Sequence, residues 1–528
     1  MAKHQHYDYK QSVLEPIFLE DQLLPGTLEY AIHYILPGTL EYAIHYIVEE
    51  RLDMSVFDAR YKNDATGRKS IDPRLLLKIV LYGYSRGMIS SRSLEYACQK
   101  ITTFMALACN KTPDHSTIAA FVSSIDEEIE DLFIMVLMIC HEEGLLGGTH
   151  FSIDGLKLSS NASKEWSGKF DDLEKKQEAL RRKVKQIVKE HKLADKKEDG
   201  KSQTDKERLK KRIKKLTQQA DRIEQFLANN EPKIGSKGNE IQSNVTDNES
   251  AIMATSHGVQ QGYNANAVVD DKKQIVTNAE VFGSGTDSKN MAPMLEGAKE
   301  NLEAIGWDKP LEGKQVNADT SYYSVENLKA CEKEKVDAYV PDQQFRKRDI
   351  RFKDADRHRR STDKRHLKYK SKKRYFDVND FKSDDRTGKL ICPAGHGLYV
   401  KNRNFITADG YRAIAYQAPK TACSDCKLRS KCLRNPNTVS RQVHIFYGQR
   451  PASVTDKMRE KIDTAEGRKI YGRRIGIVEP VFGNIRSCKR MDRFTLRGRT
   501  KVNIQWKLYC LVHNIEKILN YGESFAVA

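Results

Sequence analysis

The stretch from Gln261 to Pro341 constrains the fold more than any other. QGYNANAVVD and KKQIVTNAEVF are strand-like runs separated by a polar turn, which predicts a hairpin. TDSKNMAPMLEGAKENLEAIG (Thr286–Gly306) has helical spacing, with Thr286 or Asp287 as its cap. KQVNADTSYY carries a strand ending at Asp319, a short helix follows over Val325–Lys335, and DAYVP (Asp337–Pro341) is again a strand. Strands and helices in this alternation bury their apolar faces around a mixed sheet, so the expected class is α/β. Such sheets present function at strand ends, where Asp319 stands. HFSIDGLKL (His150–Leu158) offers a second carboxylate, since Ser152 and Asp154 alternate with Phe151 and Ile153. Gly155 leaves room there for another group to approach the backbone. RRIGIVEPVFGNIR (Arg473–Arg486) offers a third, Glu479. A lone Asp-Gly is ordinarily a turn. Three carboxylates that one fold could gather suggest a divalent-metal site for phosphoryl transfer.

The remaining chain is helical or basic. At 528 residues it can hold two to four domains, and its formal charge of +18 favours an acidic partner, nucleic acid before a membrane surface. The apolar run FIMVLMIC (Phe133–Cys140) is far shorter than the ~18 residues of a membrane span, and the N-terminus lacks a signal-like apolar core. Ten cysteines in a chain this long do not read as a disulfide framework, so a cytoplasmic location is expected. Residues 24–35 and 36–47 are identical, a local duplication in which Thr27 or Thr39 can cap a helix. From Asp72 to Glu143 three helices are expected, PRLLLKIVLYGYSRGM, SLEYACQKITTFMALAC and STIAAFVSSIDEEIEDLFIMVLMIC, with Pro73 in a first turn and Asp114 as a cap. They read equally as a plain bundle or as a DNA-binding module with Arg68, Lys69, Arg92, Lys111 and His115 as phosphate contacts.

Leu173, Leu180, Val184 and Ile187, then Leu209, Ile213, Leu216, Ala220, Ile223 and Leu227, form two heptad-like seams of an antiparallel helical hairpin. Residues 343–376 interleave Lys and Arg with aromatics, Arg346, Lys347, Arg348, Arg359, Arg360, Lys372 and Lys373 among them, which suits phosphate contact and base stacking by a loop that orders on a partner. Cys423 and Cys426 have C-x-x-C spacing, and Cys392 and Cys432 could complete a structural zinc site, with His396 as a substitute ligand. Reduced cysteines packing a small subdomain are the alternative. Arg468–Asn520 is largely helical; Pro480 either starts a helix after Glu479 or kinks one there. Phe494, Trp506 and Leu508 are expected in the core.

Asp154, Asp319 and Glu479, each in its phrase, resemble the DDE triad of bacterial insertion-sequence transposases, in the IS eleven-eighty-two-like group. EPVFGNIRSCKRMDRFTLRGRTKVNIQWKLYCLVHNIEKI (Glu479–Ile518) carries most of the likeness, supported by NADTSYYSVENL, QGYNANAVVD and DPRLLLKIVLYGYSRGMISSRSLE. The resemblance implies a ribonuclease H-like core (148–528) behind a helical DNA-binding domain (1–147), with a helical hairpin insert (165–235) and a basic Cys-containing insert (342–460). It implies two Mg²⁺ (or Mn²⁺) ions on Asp154, Asp319 and Glu479, cutting of double-stranded DNA at terminal inverted repeats, and transfer of 3′-hydroxyl ends to target DNA by a homodimer in the bacterial nucleoid. Arg486 matches the basic residue that this group places after the glutamate, and Tyr471, Arg473 and Arg474 stand near it as DNA contacts. A decayed, DNA-binding relative and a nuclease without strand transfer are the rival readings, the duplication favouring the first.

Overall fold

The computed structural model describes residues 38–61, 70–195, 203–235, 238–255, 258–352, 375–384, 387–407, 410–447 and 452–525. It has two compact units, Met1–Asp342 with Thr464–Ala528, and Gln343–Asp463. Among the described residues, no helix is long and apolar enough to cross a membrane. The first copy of the duplicated phrase, together with Arg68, Lys69, Arg359, Arg360, Lys372 and Lys373, lies outside the described residues.

The first unit opens with helices α1 (Leu40–Tyr46), α2 (Pro73–Ser85), α3 (Ser91–Lys100), α4 (Thr102–Leu107), α5 (His115–Ser124) and α6 (Glu128–Glu142). Their starts follow the sequence. Thr39 caps α1, Asp72 caps α2 with Pro73 in its first turn, and Asp114 caps α5. Their lengths do not. Ile101 is extended (φ −111°, ψ 116°) and separates α3 from α4, at an Ile-Thr-Thr run whose β-branching weakens a helix. The third expected helix breaks between α5 and α6, where Ser123 and Ser124 turn their hydroxyls back onto the Ala120 carbonyl.

Strand β1 (His150–Ser159) follows, then the hairpin α7 (Phe170–Asp195) and α8 (Gln203–Asn229). Phe170, at the start of α7, lies 5.9 Å from Phe226 near the end of α8, so the helices are antiparallel. Leu173, Ile187, Ala220 and Ile223 are buried as the heptads require, and Phe226 joins them. Strands β2 (Ala251–Thr255), β3 (Gly258–Asp270) and β4 (Val276–Phe282) lead to α9 (Met291–Ala304), β5 (Gln315–Ala318), α10 (Val325–Lys333) and β6 (Asp337–Tyr339). The sheet runs β2-β3-β1-β5-β6, with β4 also on β3. Strand β3 is antiparallel to both β1 and β4, whereas β5 and β6 run parallel to β1. A mixed sheet in this order is compatible with a ribonuclease H-like core.

Helices α11 (Ala465–Gly472), α12 (Arg474–Gly483) and α13 (Arg499–Tyr521) complete the unit. α13 buries Trp506 and Leu508, and Phe494 just before it is buried too. Tyr509 stacks on Tyr84 of α2 at 4.5 Å. Asn514 bonds both the N–H and the C=O of Val276, and Asn503 accepts from the Val281 N–H. Side-chain amides of α13 thus satisfy the outer edge of β4, which would otherwise be an open pairing edge. The second unit holds an antiparallel sheet of β7 (Lys382–Asp384), β8 (Lys389–Ile391), β9 (Gly397–Ile406), β10 (Arg412–Gln417) and β11 (Gln442–Phe446).

Candidate functional site

Strand register brings two carboxylates together. Ile153 of β1 is paired in parallel with Ala318 of β5, so Asp154, in the middle of β1 and still paired with Ala267 of β3, and Asp319, the first residue past β5, come next to each other in register. Glu479 lies on α12, which packs against β1, and its side chain is exposed. The helix runs through Pro480 without stopping. Proline has no N–H for the Gly476 carbonyl one turn earlier, and that carbonyl accepts from the Gln274 side chain at 2.9 Å. Helix α12 therefore starts before the glutamate, not after it.

The three acids share one electrostatic field. Burial pushes the Asp154 carboxyl up to about 6; Arg474 and the Gly155 N–H oppose this, while Asp319 and Glu479 raise it further. Arg474, the first residue of α12, donates to Asp154 Oδ2 and lies over the Tyr471 ring at 6.0 Å. It is 8% exposed and occupies the carboxylate that a cation would seek. Among the described residues, no group of three or more His, Cys, Asp or Glu side chains stands ready to hold a metal ion. The donor chemistry nonetheless suits a hard divalent cation: carboxylate oxygens, one pair of them made basic by burial and by the neighbouring acids.

Behind Asp154 lies a polar cluster that brings β3 together with the residues just before α9. Gly155 is opposite Asn266, and Asn264 is two residues along β3, so both amides project from the sheet face opposite to Asp154. A Cβ on Gly155 would meet Asn266 Nδ2 at 2.6 Å, Asn264 Oδ1 at 2.7 Å and Asp287 Oδ1 at 3.1 Å. The close approach that the glycine permits is therefore made by these three side chains. Asn264 donates to Asp287, while Asn266 Oδ1 accepts from Tyr322 at 2.9 Å and from Asn290 at 3.2 Å. Burial, then the charges of Asp287, Asp154 and Asp319, hold the Tyr322 phenol well above its ordinary value and keep it a donor. Asp287 is an expected cap for α9, but its carboxylate is drawn to Asn264, and α9 begins at Met291 with Asn290 as an N-cap whose side chain bonds Asn266 and makes no capping bond. Two asparagines on one face of β3, alternating with alanines in Asn264-Ala265-Asn266-Ala267, are the signal that the sequence carries.

The other candidate residues are dispersed. Arg473 pairs with Asp271, Arg486 is exposed just beyond α12, and His115 bonds Glu95 at 2.9 Å. Arg92 is exposed and Lys111 half-buried. Arg346, Lys347 and Arg348 lie on a short exposed helix, Phe345–Arg348, of the second unit, where Arg348 bonds Asp463 at 2.6 Å. Cys392, Cys423, Cys426 and Cys432 are free thiols lining one small cavity with His396. Burial pushes the Cys432 thiol up, Arg441 opposes this, and the other three cysteines add to it, as mutual neighbours would.

Residues 391–519 match the family model of the transposase DDE domain, and residues 31–124 match that of a transposase domain (DUF772). The first match takes in the four cysteines and Glu479 but begins after Asp154 and Asp319; the second spans α1 to α5. No curated protein and no solved structure matches the chain.

Proposed function

We propose, for a chain that carries a transposase domain ahead of a transposase DDE domain, that it is the DNA transposase of an insertion sequence. In this reading it binds the element's terminal inverted repeats, hydrolyses phosphodiester bonds at the element ends and joins the freed 3′-hydroxyls to target DNA. The observation that carries this reading is the parallel register that sets Asp154 of β1 beside Asp319 at the end of β5, with the Glu479 helix packed on β1.

Asp154, Asp319 and Glu479 would hold Mg²⁺ or Mn²⁺. Bound there, the ions supply charge neutralisation for in-line displacement at phosphorus and acidify the attacking water. The protein's part is to keep the three carboxylates ionised and close together, and the Asp154–Arg474 bond serves the first of these. Arg474 must leave Asp154 before that carboxylate can accept another cation, and a DNA phosphate is a natural second partner for its guanidinium. Water attack frees a 3′-hydroxyl, and the same hydroxyl then attacks the target, so no serine or tyrosine nucleophile is required. Two element ends call for two copies of the chain on DNA. In the second unit the four cysteines would hold a structural zinc ion, with Cys-x-x-Cys at Cys423–Cys426 as its core.

Asp154→Asn, Asp319→Asn and Glu479→Gln keep shape and remove charge. Each is expected to abolish cutting and joining of the element's own ends in Mg²⁺ while DNA binding stays near the unsubstituted level. Residual cleavage in any one of them would refute the assignment of that carboxylate. Cut products without joined ones in the unsubstituted protein would indicate a nuclease.

A further inference from the structure

The second unit carries an open aromatic sheet face that the reaction at Asp154 does not use. Register places Phe405, Ala413 and Phe446 side by side across β9, β10 and β11, and Asn402, Ala415 and His444 in the next row. Tyr399, Gln417 and Gln442 form a third. The three rows are two residues apart on β10, so they share one face of the sheet. The opposite face, with Tyr416, Val443 and Ile445, packs on the core around Phe381, Leu390 and Leu398.

The open face is aromatic over a small-residue floor. Ala413 and Ala415 are fully buried although they lie on the face away from that core, with Phe405 and Phe446 on either side of the first and His444 beside the second. Phe405 and His444 lie 4.4 Å apart, and Tyr411 meets Phe446 edge-on at 5.5 Å. Phe446 is 54% exposed, Tyr399 48% and Tyr411 36%. Several exposed rings grouped on one sheet face are the kind of patch that marks an interaction site.

Charge selects the partner. Lys401, Arg403 and Arg412 are exposed on these strands, and β9, β10 and β11 contain no Asp or Glu. A second copy of this face would bring like charges together, and a duplex hides the base faces that rings can stack on. We propose that this face is a platform for an unpaired DNA strand, whose bases stack on Phe405, His444, Phe446 and Tyr411 while Lys401 and Arg403 meet its phosphates. Asn402, Gln417 and Gln442 stand in the same rows, with their amides bonded to Asn404, Ser440 and His444 respectively. The inference rests on the reading of the chain as a DNA-processing protein and adds the strandedness of what this unit holds.

The test uses the full chain, titrated at one salt concentration onto a labelled oligothymidine of about 15 nucleotides, near the site size of comparable platforms, and onto a random duplex. The double variant Tyr411→Ala, Phe446→Ala is expected to bind the oligothymidine roughly a hundredfold more weakly, about tenfold per ring, and the duplex within about twofold of the unsubstituted protein. Phe446→Trp preserves a stacking surface: it is expected to keep single-strand affinity and to show added indole emission quenched by the oligothymidine. Unchanged single-strand affinity in the double variant, equal losses on both DNAs, or added emission in Phe446→Trp that the oligothymidine leaves unquenched would each overturn the proposal. So would a change of sedimenting mass in the double variant with no change in single-strand affinity, which would make the face a contact between copies. Binding of the duplex but not the oligothymidine by the unsubstituted chain overturns this inference alone. Failure to bind either DNA removes the reading it rests on.

Discussion

Gly155→Ala puts a single methyl group into the tightest place beside the candidate site. The new carbon would stand 2.6 Å from Asn266 Nδ2, 2.7 Å from Asn264 Oδ1 and 3.1 Å from Asp287 Oδ1. Carbon and polar atoms ordinarily meet near ~3.5 Å, so two side chains must each retreat by almost ~1 Å. Neither is free to do so: Asn264 is tied to Asp287, and Asn266 to Tyr322 and Asn290. Overpacking costs about 1–3 kcal/mol, and each buried hydrogen bond lost adds about 1 kcal/mol. The expected destabilisation is about 2–4 kcal/mol, lowering the melting temperature by roughly 2–5 °C in a unit of this size. DNA cleavage should fall at least about tenfold, because Asp154 is the adjoining residue and sub-ångström placement matters in catalysis. Gly476→Ala is the matched control. Its added carbon meets nothing within 4 Å, and it lies in α12 three residues before Glu479. Helix propensity predicts a gain of about 0.5–1 kcal/mol there. Thermal melts and end-cleavage assays on both variants decide the matter. A Gly155→Ala protein that melts within about 1 °C of the unsubstituted chain and cuts normally would refute the packing argument.

Arg474→Ala leaves the largely buried Asp154 carboxylate without its cation; a loss of about 2 kcal/mol is expected after allowance for partial exposure, with a larger rise in melting temperature on adding Mn²⁺ than the unsubstituted protein shows. Mn²⁺ that raises both melts equally would refute the idea that Arg474 holds the place of a cation. Metal analysis should find one zinc per chain, removable by chelator with a lowered melt; a zinc-free preparation of unchanged stability would leave the four cysteines only a packing role. Hydrogen bonds from Ser116 and Thr117 hold the Asp114 carboxyl down at about 2. A depressed carboxylate stabilises the fold above its unfolded value and loses that contribution as pH falls, so amide protection in the first turn of α5 should decline from about pH 4 to pH 2, and Asp114→Asn should show no such decline. Deleting residues 24–35 leaves Thr39 to cap α1 and should leave DNA cleavage unchanged or raised; complete loss would make the repeat part of the working fold.

Much of this molecule is local and was therefore legible in the chain. Thr39, Asp72, Pro73 and Asp114 start helices because their side chains satisfy backbone groups within three residues or, for the proline, remove one. The hairpin seams and the alternation of Phe151 and Ile153 with Ser152 and Asp154 in β1 follow from periodicities of the elements themselves. The mixed sheet, too, follows from sequence to the extent that parallel β5 and β6 need a crossover helix and antiparallel β3 and β4 need only a turn, while the strand order does not. What tertiary structure alone decided is the company each acid keeps. Arg474 and Asp154 are 320 residues apart, and nothing near either predicts their bond. Asp287 reads as a helix cap until Asn264 competes for it across the sheet. Gly476 and Gln274 look ordinary until Pro480 frees a carbonyl that only an approaching side chain from another element can satisfy. Helix ends are set by bonds spanning one turn, and a sequence carries those. The charge state and cation of a buried carboxylate are set by groups that arrive through packing, and a sequence holds no short-range signal for them.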